Sequence, residues 1–400
     1  MVAREGPLHN ATVLDFSHVL AGPYCAMLLA GLGADVLKVE SPNGDQVRNW
    51  SGPGEVPIAF HNVNRNKRSI VIDLRQPDGQ RVARDLAESV DIVVENFKPG
   101  TMERYGLGYE NLSQRNPRLV YGSITGFGRD GPYRDRGGYD LIAQGMAGIM
   151  SVTGYPDSPP AKAGVPVADL SAGLFALTGI LAAYTEVLQT GHGQRVDVAL
   201  LDSAISLTLW ESAQYWITGQ DPIPVGSAHR FAAPYQAFET SDGFITVAAN
   251  TDNQFKSLLS VLGCSNLALD IRFISNSDRV AHREDLAALL SERLIRMSRH
   301  YAIEQLSKAG VPCGPVYKMS EVFQDEHVLS RHISASVSDA DGHQVPIIQS
   351  PIRMGKGSEA IGLAPGLGEH TREILKEKLG LSFDEIAALE KTGAVQYCMN

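Results

Sequence analysis

The stretch LAGPYCAMLLAGLGADVLKVE, residues 20–40, decides how the first half of the chain folds. The apolar run VLDF (13–16) precedes it, small residues typical of a closely packed helix open it, and a β-branched run ends it at Glu40. A strand, a helix and a second strand in this order begin many nucleotide-binding domains. The stretch therefore predicts an α/β domain and raises the question of a dinucleotide site.

The glycines of this stretch argue against a classical dinucleotide site. That site needs glycines on the turn between strand and helix, so that the backbone can approach a pyrophosphate. Here the turn holds only Gly22, whereas Gly31 and Gly33 come where the helix should end and suit a left-handed C-cap. Glu40 stands where a ribose-binding carboxylate would lie, so NAD stays an alternative at this point.

The alternation of strands and helices continues to about residue 200. Strands are predicted at 13–16, 35–40, 69–74, 91–97 and 119–127, with helices such as 77–90 between them. This pattern predicts a parallel sheet with helices on both faces. Ligands of such sheets bind beyond the carboxyl ends of the strands, so we expect the functional residues at that edge.

The remaining patterns divide the chain into domains. Helices at 139–152 and 169–189, and a strand that runs into a helix at 194–204, end a large domain over residues 1–216. Residues 217–235, with three prolines, are interpreted as a linker, and 236–325 as a smaller α+β domain. Residues 326–400 are a return linker and a C-terminal part completing the large domain. The predicted fold class is α/β, with a doubly wound parallel-sheet (Rossmann-like) large domain.

Composition excludes several classes of function. A net charge of -10 disfavours nucleic-acid binding, and four scattered cysteines suit neither a disulfide framework nor a zinc site. No metal-ligand spacing is present among the histidines, so no metal is expected. The N-terminus lacks a secretory pattern, and the most apolar helix (173–184) is shorter than a bilayer span, so we expect a cytoplasmic protein without membrane contact.

Basic residues gather near the predicted strand ends. Three arginines lie in the loop 126–140, and other basic residues follow neighbouring strands. The set is Lys67, Arg68, Arg75, Lys98, Arg104, Arg129, Arg134 and Arg136. Such clustering on an acidic chain fits an anionic ligand, whereas the alternative is a set of solvated surface residues. His18, after the first strand, is either a general base or a ring that fills the first turn.

Asp169, in GVPVADLSAG, stands at the start of an apolar helix. Aspartate there is a preferred N-cap residue, worth about 1 kcal/mol. The alternative is a nucleophilic carboxylate that the helix terminus keeps ionised, beside small residues that leave room for a substrate. Spacing alone leaves both interpretations open.

Ten ordered segments resemble the class III coenzyme A-transferases, which include the formyl-CoA:oxalate and carnitine CoA-transferases. They are VLDFSHVLAGPYC, LGADVLKVE, NRNKRSIVIDL, ENFKPGTMERYGLGYE, GGYDLIAQGMAG, VADLSAGLFALTGILAA, TGHGQRVDVALLDSA, PYQAF, GVPCGPV and LGEHT, from about residue 7 to 390. The resemblance implies that Asp169 attacks an acyl-CoA thioester. A mixed anhydride and then an enzyme–CoA thioester would follow.

The resemblance also implies a binding site for CoA, as substrate and product rather than as a tightly bound cofactor. The implied CoA-binding residues are His18, Val19, Ala21, Ile72, Arg75, Asn96, Phe97, Thr101, Arg104, Tyr139, Asp140 and Leu200. Arg75 and Arg104 would meet phosphates. Partners would be an acyl-CoA, a small carboxylate and a second copy of the chain in an interlocked homodimer.

Departures from the family pattern narrow the acceptor. Formyl-CoA:oxalate members carry a mobile glycine-run loop and a lysine where this chain has Gly137, so oxalate is in doubt. The segment GSAHRFAAPYQAF resembles members that serve short dicarboxylates, with succinyl-CoA as the expected donor. His229 and Arg230 would bind the distal carboxylate of the acceptor, or merely line the linker.

Two other functions stay open. The α-methylacyl-CoA racemases of the same superfamily need a base on each face of the reacting carbon. They show a histidine where this chain has Tyr139, so the racemase interpretation lacks one base. The second alternative is a CoA-binding protein without catalysis, against which the presence of Asp169 argues.

Overall fold

The computed structural model describes residues 6–50, 57–339, 341–354 and 361–397. These form two compact units, one from the described parts of Met1–Ile149, Lys162–Ser212 and Leu329–Asn400, the other from Met150–Ala161 and Ala213–Val328. Residues 150–161, which the sequence analysis placed in the large domain, group with the second unit. One reason is a hydrogen bond of 2.8 Å from the Gly226 N–H to the Gly154 carbonyl.

The described residues of the two units form twelve strands and eighteen α-helices. The strands are β1 (Thr12–Asp15), β2 (Asp35–Glu40), β3 (Arg68–Ile72), β4 (Ile92–Glu95), β5 (Val120–Thr125), β6 (Arg195–Ala199), β7 (Tyr235–Thr240), β8 (Gly243–Ala248), β9 (Cys313–Pro315), β10 (Ser334–Ser338), β11 (Gln344–Ile348) and β12 (Val395–Gln396). The helices are α1 (Ala21–Gly31), α2 (Ile58–Asn64), α3 (Pro77–Glu88), α4 (Thr101–Arg104), α5 (Tyr109–Leu112), α6 (Asp140–Met146), α7 (Ile149–Val152), α8 (Val167–Thr190), α9 (Leu200–Ser206), α10 (Leu209–Thr218), α11 (Asp252–Val261), α12 (Asn276–Ala281), α13 (Arg283–Leu294), α14 (Arg299–Lys308), α15 (Met319–Val322), α16 (Glu326–Ser330), α17 (Thr371–Leu379) and α18 (Phe383–Thr392).

The first unit is built on a seven-stranded sheet in the order β12-β3-β2-β1-β4-β5-β6. Strands β1 to β6 run parallel, which confirms the predicted large parallel sheet. The exception is β12, which pairs antiparallel with β3 and was not predicted. Strands β2 and β3 were added on one side of β1, whereas β4, β5 and β6 lie on its other side, so the strand order reverses between β1 and β4. In open α/β sheets a ligand crevice forms at this point.

Alternation along each strand places one apolar set on each face of the sheet. Val13 of β1 joins the core formed with α1 and α8, whereas its neighbour Leu14 joins the core formed with α3, α17 and α18. Successive side chains on a strand point to opposite faces, so two cores follow from one near-continuous apolar run. The sheet is therefore covered on both sides.

Helix α1 depends on small residues and ends differently from the prediction. A Cβ atom on Gly22 would lie 2.2 Å from the Cβ of Ser17, so only glycine allows this approach of helix and turn. At the other end, Gly33 has a positive φ of 101° and suits the predicted turn out of the helix. Gly31 is the last helical residue instead, so its prediction as a left-handed cap was wrong.

Helix α8 has nearly the bounds predicted for it, 169–189. It runs for 24 residues, because the apolar pattern of 173–184 continues into both flanks, and unlike that stretch alone it is long and apolar enough to span a membrane. Its glycines instead bring it against its neighbours: a Cβ on Gly179 would lie 2.6 Å from Val196, and one on Gly173 would lie 2.8 Å from the Ala21 carbonyl oxygen. This helix is packed on the sheet as a core element.

The predicted helix 139–152 is two helices, α6 and α7, separated at Gly148, where φ is +81°. The second unit holds the antiparallel sheet β7-β8-β9 with helices α11 to α14 around one apolar core. A hairpin of β10 and β11 lies in the first unit and contacts α2, where the Asn62 side chain bonds the backbone of Pro346 and Ile348.

Candidate active site

A cavity of about 270 Å³ lies in the first unit at the carboxyl ends of β1, β4 and β5. Eight predicted site residues line it: His18, Val19, Ala21, Asn96, Phe97, Tyr139, Asp169 and Leu200. The remaining lining residues are Leu20, Lys98, Pro99, Ile124, Thr125, Gly126, Arg136, Gly137 and Gly138. The structure thus brings together the helix start that carries Asp169 and the turns after three neighbouring strands.

The turn after β1 is held in an unusual conformation. Val19 has a φ of 67°, a left-handed conformation that β-branched residues rarely adopt and that costs about 1–3 kcal/mol. Asn96 bonds both backbone groups of His18, accepting its N–H at 2.9 Å and donating to its carbonyl at 2.8 Å. Asp45 accepts the N–H of Val19 at 3.3 Å. These bonds fix the backbone that lines the cavity.

Two buried ion pairs stabilise the turn after β1. Lys38 contacts Asp45 at 3.1 Å and donates to the Ser17 carbonyl at 3.0 Å, whereas Lys67 contacts Asp15 at 2.8 Å. All four charged side chains are almost fully buried. Lys67 is therefore part of the scaffold of the turn.

His18 is a neutral residue of the cavity wall. Burial lowers the pKa of its imidazole below the ordinary value of 6.5, and the nearby Asp45 offsets this only in part. Its Nδ1 is buried and has no hydrogen-bond partner in the described part of the chain, and its ring packs on Phe97 with centroids 5.0 Å apart. The ring therefore fills the first turn and carries no charge at pH 7.

Asp169 is the third residue of α8, whose N-cap is Pro166. Across the described residues its carboxylate accepts no hydrogen bond, so the N-cap interpretation was wrong. Burial, and secondarily the charge of Asp140, raises the pKa of Asp169 to about 6. The helix terminus therefore does not hold this pKa low, as the nucleophile interpretation assumed, although the group is still mostly ionised at pH 7.

Asp140, rather than Asp169, bonds the start of α8. Its Oδ1 accepts the N–H of Ala168 at 3.0 Å and its Oδ2 accepts the Gln144 side-chain amide at 2.7 Å. Gln144 in turn accepts the N–H of Ala163 at 2.9 Å. Asp140 does not line the cavity, and its contact with CoA stays a prediction.

Most of the predicted basic cluster is engaged in ion pairs. Arg68 pairs with Asp35, Arg75 with Asp73, Arg129 with Glu95 and Glu103, and Arg134 with Asp135. Lys98 and Arg136 line the cavity, and neither side chain forms an ion pair within the described residues. The Arg136 guanidinium instead lies over the Tyr133 ring, 4.5 Å from its centroid. An anion entering the cavity would meet these two cations.

Five predicted first-unit residues lie outside the cavity lining: Ile72, Arg75, Thr101, Arg104 and Asp140. Ile72 is buried in β3, and Arg104 donates to the Thr101 hydroxyl at 3.4 Å. Among the lining residues that the prediction missed, Gly126 and Gly138 had a readable signal. A Cβ on Gly126 would lie 2.6 Å from the Gly138 Cα, so the glycines of TGFG and GGYD mark two backbones that cross closely.

His229 and Arg230 belong to the second unit, whereas every residue lining the Asp169 cavity belongs to the first. Arg230 lines a separate cavity of about 720 Å³, and its guanidinium donates to the Ile223 carbonyl at 2.7 Å. His229 does not line that cavity, and its ring packs against Tyr235 with centroids 5.0 Å apart. The role of these two residues in acceptor binding stays a prediction.

One group of side chains has metal-ligand geometry. Asp339, Asp341 and His343 bring three ligand atoms within 4.8 Å of one another. Asp339 is already bonded to the His343 ring at 3.0 Å and to two backbone N–H groups of the same loop. These contacts lie within the loop that joins β10 and β11.

The chain is similar to known proteins in sequence and in structure. The family model described as CoA-transferase family III matches residues 8–371. The succinate–glutarate CoA-transferase of Agrobacterium fabrum is 40% identical, with 94% of this chain and 97% of that enzyme covered. The succinyl-CoA:mesaconate CoA-transferase of Haloarcula hispanica is 39% identical, covering 93% and 96%. A crystal structure of a CAIB/BAIF family protein from Brucella suis aligns with a TM-score of 0.83 and 41% identity, covering 93% and 99%.

Proposed function

The chain belongs to CoA-transferase family III, and we propose from this membership that it moves CoA from succinyl-CoA to a short carboxylate or dicarboxylate. The observation that carries the proposal is Asp169: a carboxylate without a hydrogen-bond partner among the described residues, at the wall of a cavity at the sheet edge. The substrates of the two enzymes compared above, named for succinate, succinyl-CoA, glutarate and mesaconate, supply the substrate class.

The proposed reaction begins at the Asp169 carboxylate. It attacks the thioester carbonyl of the donor, a C–O bond forms, the C–S bond breaks, and CoA leaves as thiolate. The thiolate then attacks the Asp169 carbonyl of the mixed anhydride, which releases the donor carboxylate and leaves an enzyme–CoA thioester.

The second half of the reaction reverses these steps with the acceptor. The acceptor carboxylate attacks the enzyme thioester and forms a new anhydride, and the returning thiolate attacks the acceptor carbonyl. The products are the acceptor acyl-CoA and the free Asp169 carboxylate. Each step consumes one anion, a carboxylate or a thiolate, and releases another, so the net charge of the site does not change. A carboxylate with a pKa of about 6 therefore suffices as nucleophile.

CoA is proposed to bind along the turns that line the cavity. Lys98 and Arg136, without ion-pair partners in the described part of the chain, would attract its phosphates. His18, being neutral, would contact an uncharged part of the molecule. Ile72, Arg75, Thr101 and Arg104 stay proposed contacts from the resemblance. No tightly bound cofactor is proposed.

An interlocked homodimer is proposed as the assembly. Large apolar side chains stay exposed on α10, with Trp216 78% and Ile217 84% accessible, and a partner subunit would cover such surface. A Rossmann-like description fits the strand order of the sheet. We also propose a cytoplasmic location, which the free cysteines Cys25, Cys264 and Cys313 support.

The test is an exchange assay with a panel of acceptors. The protein is incubated with succinyl-CoA and with glutarate, mesaconate, malate or oxalate, and new acyl-CoA is followed by mass spectrometry. We expect product that depends on the acceptor and is lost in Asp169→Ala. Solvent deuterium at the α-carbon of a branched acyl-CoA without any acceptor would indicate a racemase, and tight CoA binding without exchange would indicate a binding protein.

A further inference from the structure

We propose that Asp140 is a positioning residue that acts through its charge: it disfavours the free carboxylate of Asp169 and thereby favours the covalent states of that residue. The proposal rests on the proposed function, because covalent states of Asp169 exist only if the chain transfers CoA. It assigns to Asp140 a role toward the nucleophile instead of toward CoA.

The position of Asp140 is set by two hydrogen bonds. It is the first residue of α6, and its two carboxylate oxygens accept from Ala168 and from the buried Gln144. Ala168 immediately precedes Asp169, so the Asp140 carboxylate is held against the first turn of the helix that carries the nucleophile. Both Asp140 oxygens are therefore held by hydrogen bonds.

Within the described residues, neither carboxylate forms an ion pair. The titratable or charged side chains that share the Asp169 cavity are His18, Lys98, Arg136 and Tyr139, of which His18 is neutral. Burial raises the pKa of Asp169 most, and the negative charge of Asp140 raises it further. The two acidic groups therefore repel each other.

Because of this repulsion, the reaction equilibrium favours the enzyme–CoA thioester of Asp169. Asp169 carries a negative charge as a free carboxylate, whereas its CoA thioester carries none at that position. The charge leaves the site with the released donor carboxylate. Asp140 therefore raises the free energy of the resting enzyme and leaves the thioester almost unaffected.

The size of the effect is bounded by the pKa of Asp169. The pKa of Asp169 rises from the ordinary 3.8 to about 6, and burial accounts for the larger share of this rise. Each unit corresponds to a tenfold change in equilibrium. Removing the Asp140 charge should therefore lower the proton affinity of Asp169 and the equilibrium constant for adduct formation by the same factor, between about twofold and tenfold.

Two substitutions change the charge and the hydrogen bonding of Asp140 in different ways. Asp140→Asn removes the charge and keeps an oxygen that can accept the Ala168 N–H, although its amide nitrogen no longer accepts from Gln144. Asp140→Glu keeps the charge and moves both acceptor oxygens. Gln144→Lys is a further variant that leaves Asp140 in place and sets an ammonium group beside it. Folding of each is checked by circular dichroism.

The first measurement is the titration of Asp169 in protein labelled with ¹³C-aspartate, with Asp169→Asn used to assign the carboxyl signal. The second is the fraction of enzyme–CoA thioester at fixed ratios of succinyl-CoA to succinate, read by intact-protein mass spectrometry. We expect Asp140→Asn and Gln144→Lys to lower the Asp169 midpoint and the thioester equilibrium by one common factor. Asp140→Glu should retain most of both.

The opposite pattern overturns the proposal: unchanged titration and thioester fraction in Asp140→Asn, with a change in Asp140→Glu, would indicate a hydrogen-bonding role alone. If Asp140→Asn does not fold, an unchanged midpoint in Gln144→Lys has the same meaning. The titration needs no turnover. Absence of any thioester in the unmodified protein would therefore refute the proposed function, while the midpoints still decide the coupling of the two carboxylates.

Discussion

Asn96 holds the backbone of His18 from both sides, accepting its N–H at 2.9 Å and donating to its carbonyl at 2.8 Å. The two residues lie at the ends of neighbouring strands, β1 and β4, where the chain direction across the sheet reverses. The Asn96 amide thus joins the two turns that line the cavity. It also helps to hold Val19 in its left-handed backbone conformation.

Asn96→Ala should therefore weaken substrate binding as well as stability. Loss of two hydrogen bonds to a half-buried backbone should cost about 1–3 kcal/mol of unfolding free energy and raise KM for acyl-CoA several-fold. Urea unfolding and steady-state kinetics measure the two effects. Asn62→Ala, which also breaks side-chain bonds to backbone of another segment, is the matched control and should change stability alone. Equal KM effects in both variants would contradict a specific role for Asn96.

The pH dependence of transfer should follow the ionisation of Asp169. Because the carboxylate is the nucleophile and its pKa is about 6, kcat/KM should be constant above pH 7 and fall towards tenfold per unit below pH 6. Burial lowers the pKa of His18 below its ordinary value, so His18 is neutral on the plateau above pH 7. Initial rates with succinyl-CoA from pH 5 to 8 check this. A flat profile down to pH 5 would exclude Asp169 as the titrating nucleophile.

Asp169→Asn should stabilise the protein at neutral pH while it abolishes transfer. The folded-state pKa lies above the unfolded value, so the ionised side chain costs stability at pH 7, and that cost disappears as the pH falls from 7 to 4. We expect a gain of about 1–2 kcal/mol at pH 7.5, shrinking to none near pH 4. Denaturant unfolding at the two pH values measures it. A gain that does not change with pH would mean that charge is not the cause.

The arginines should differ in their effect on acyl-CoA binding. Arg136→Ala, at the cavity, should raise KM for succinyl-CoA about tenfold through loss of a phosphate contact. Arg75→Ala should raise it less, about two- to threefold, because Arg75 is 73% exposed and bonded to Asp73, so that solvent screens its proposed contact with a phosphate. Initial rates at two salt concentrations measure both. An effect of Arg75→Ala as large as that of Arg136→Ala would contradict this ranking.

Strands β1 to β5 could be predicted from the sequence because each is a short apolar run buried on both faces, and β6 because its valines alternate with exposed polar residues. Strand β12 could not, since two residues carry no pattern and their pairing with β3 depends on contacts more than 300 residues away along the chain. The break at Gly148 was missed because the apolar spacing continues through it.

The residues that line the cavity were easier to predict from the sequence than the ion pairs around it. Ordered motifs led to eight of its lining residues, whereas the ion pairs that occupy Arg68 and Lys67 join residues distant in sequence, as in the contact of Arg68 with Glu377. Asp169 looked like an N-cap because aspartate commonly begins helices. Only the fold reveals that Asp140 bonds that helix start and leaves Asp169 without a partner among the described residues.

The most direct test of the account is to locate the covalent bond to CoA. The protein is mixed with succinyl-CoA, quenched, digested and examined by mass spectrometry, with Asp169→Ala treated in parallel. We predict one CoA thioester, carried by the peptide that contains Asp169, which hydroxylamine converts to a hydroxamate and which is missing in the variant. Acceptor-dependent exchange that continues in Asp169→Ala, or a thioester on another carboxylate, would contradict the central claim.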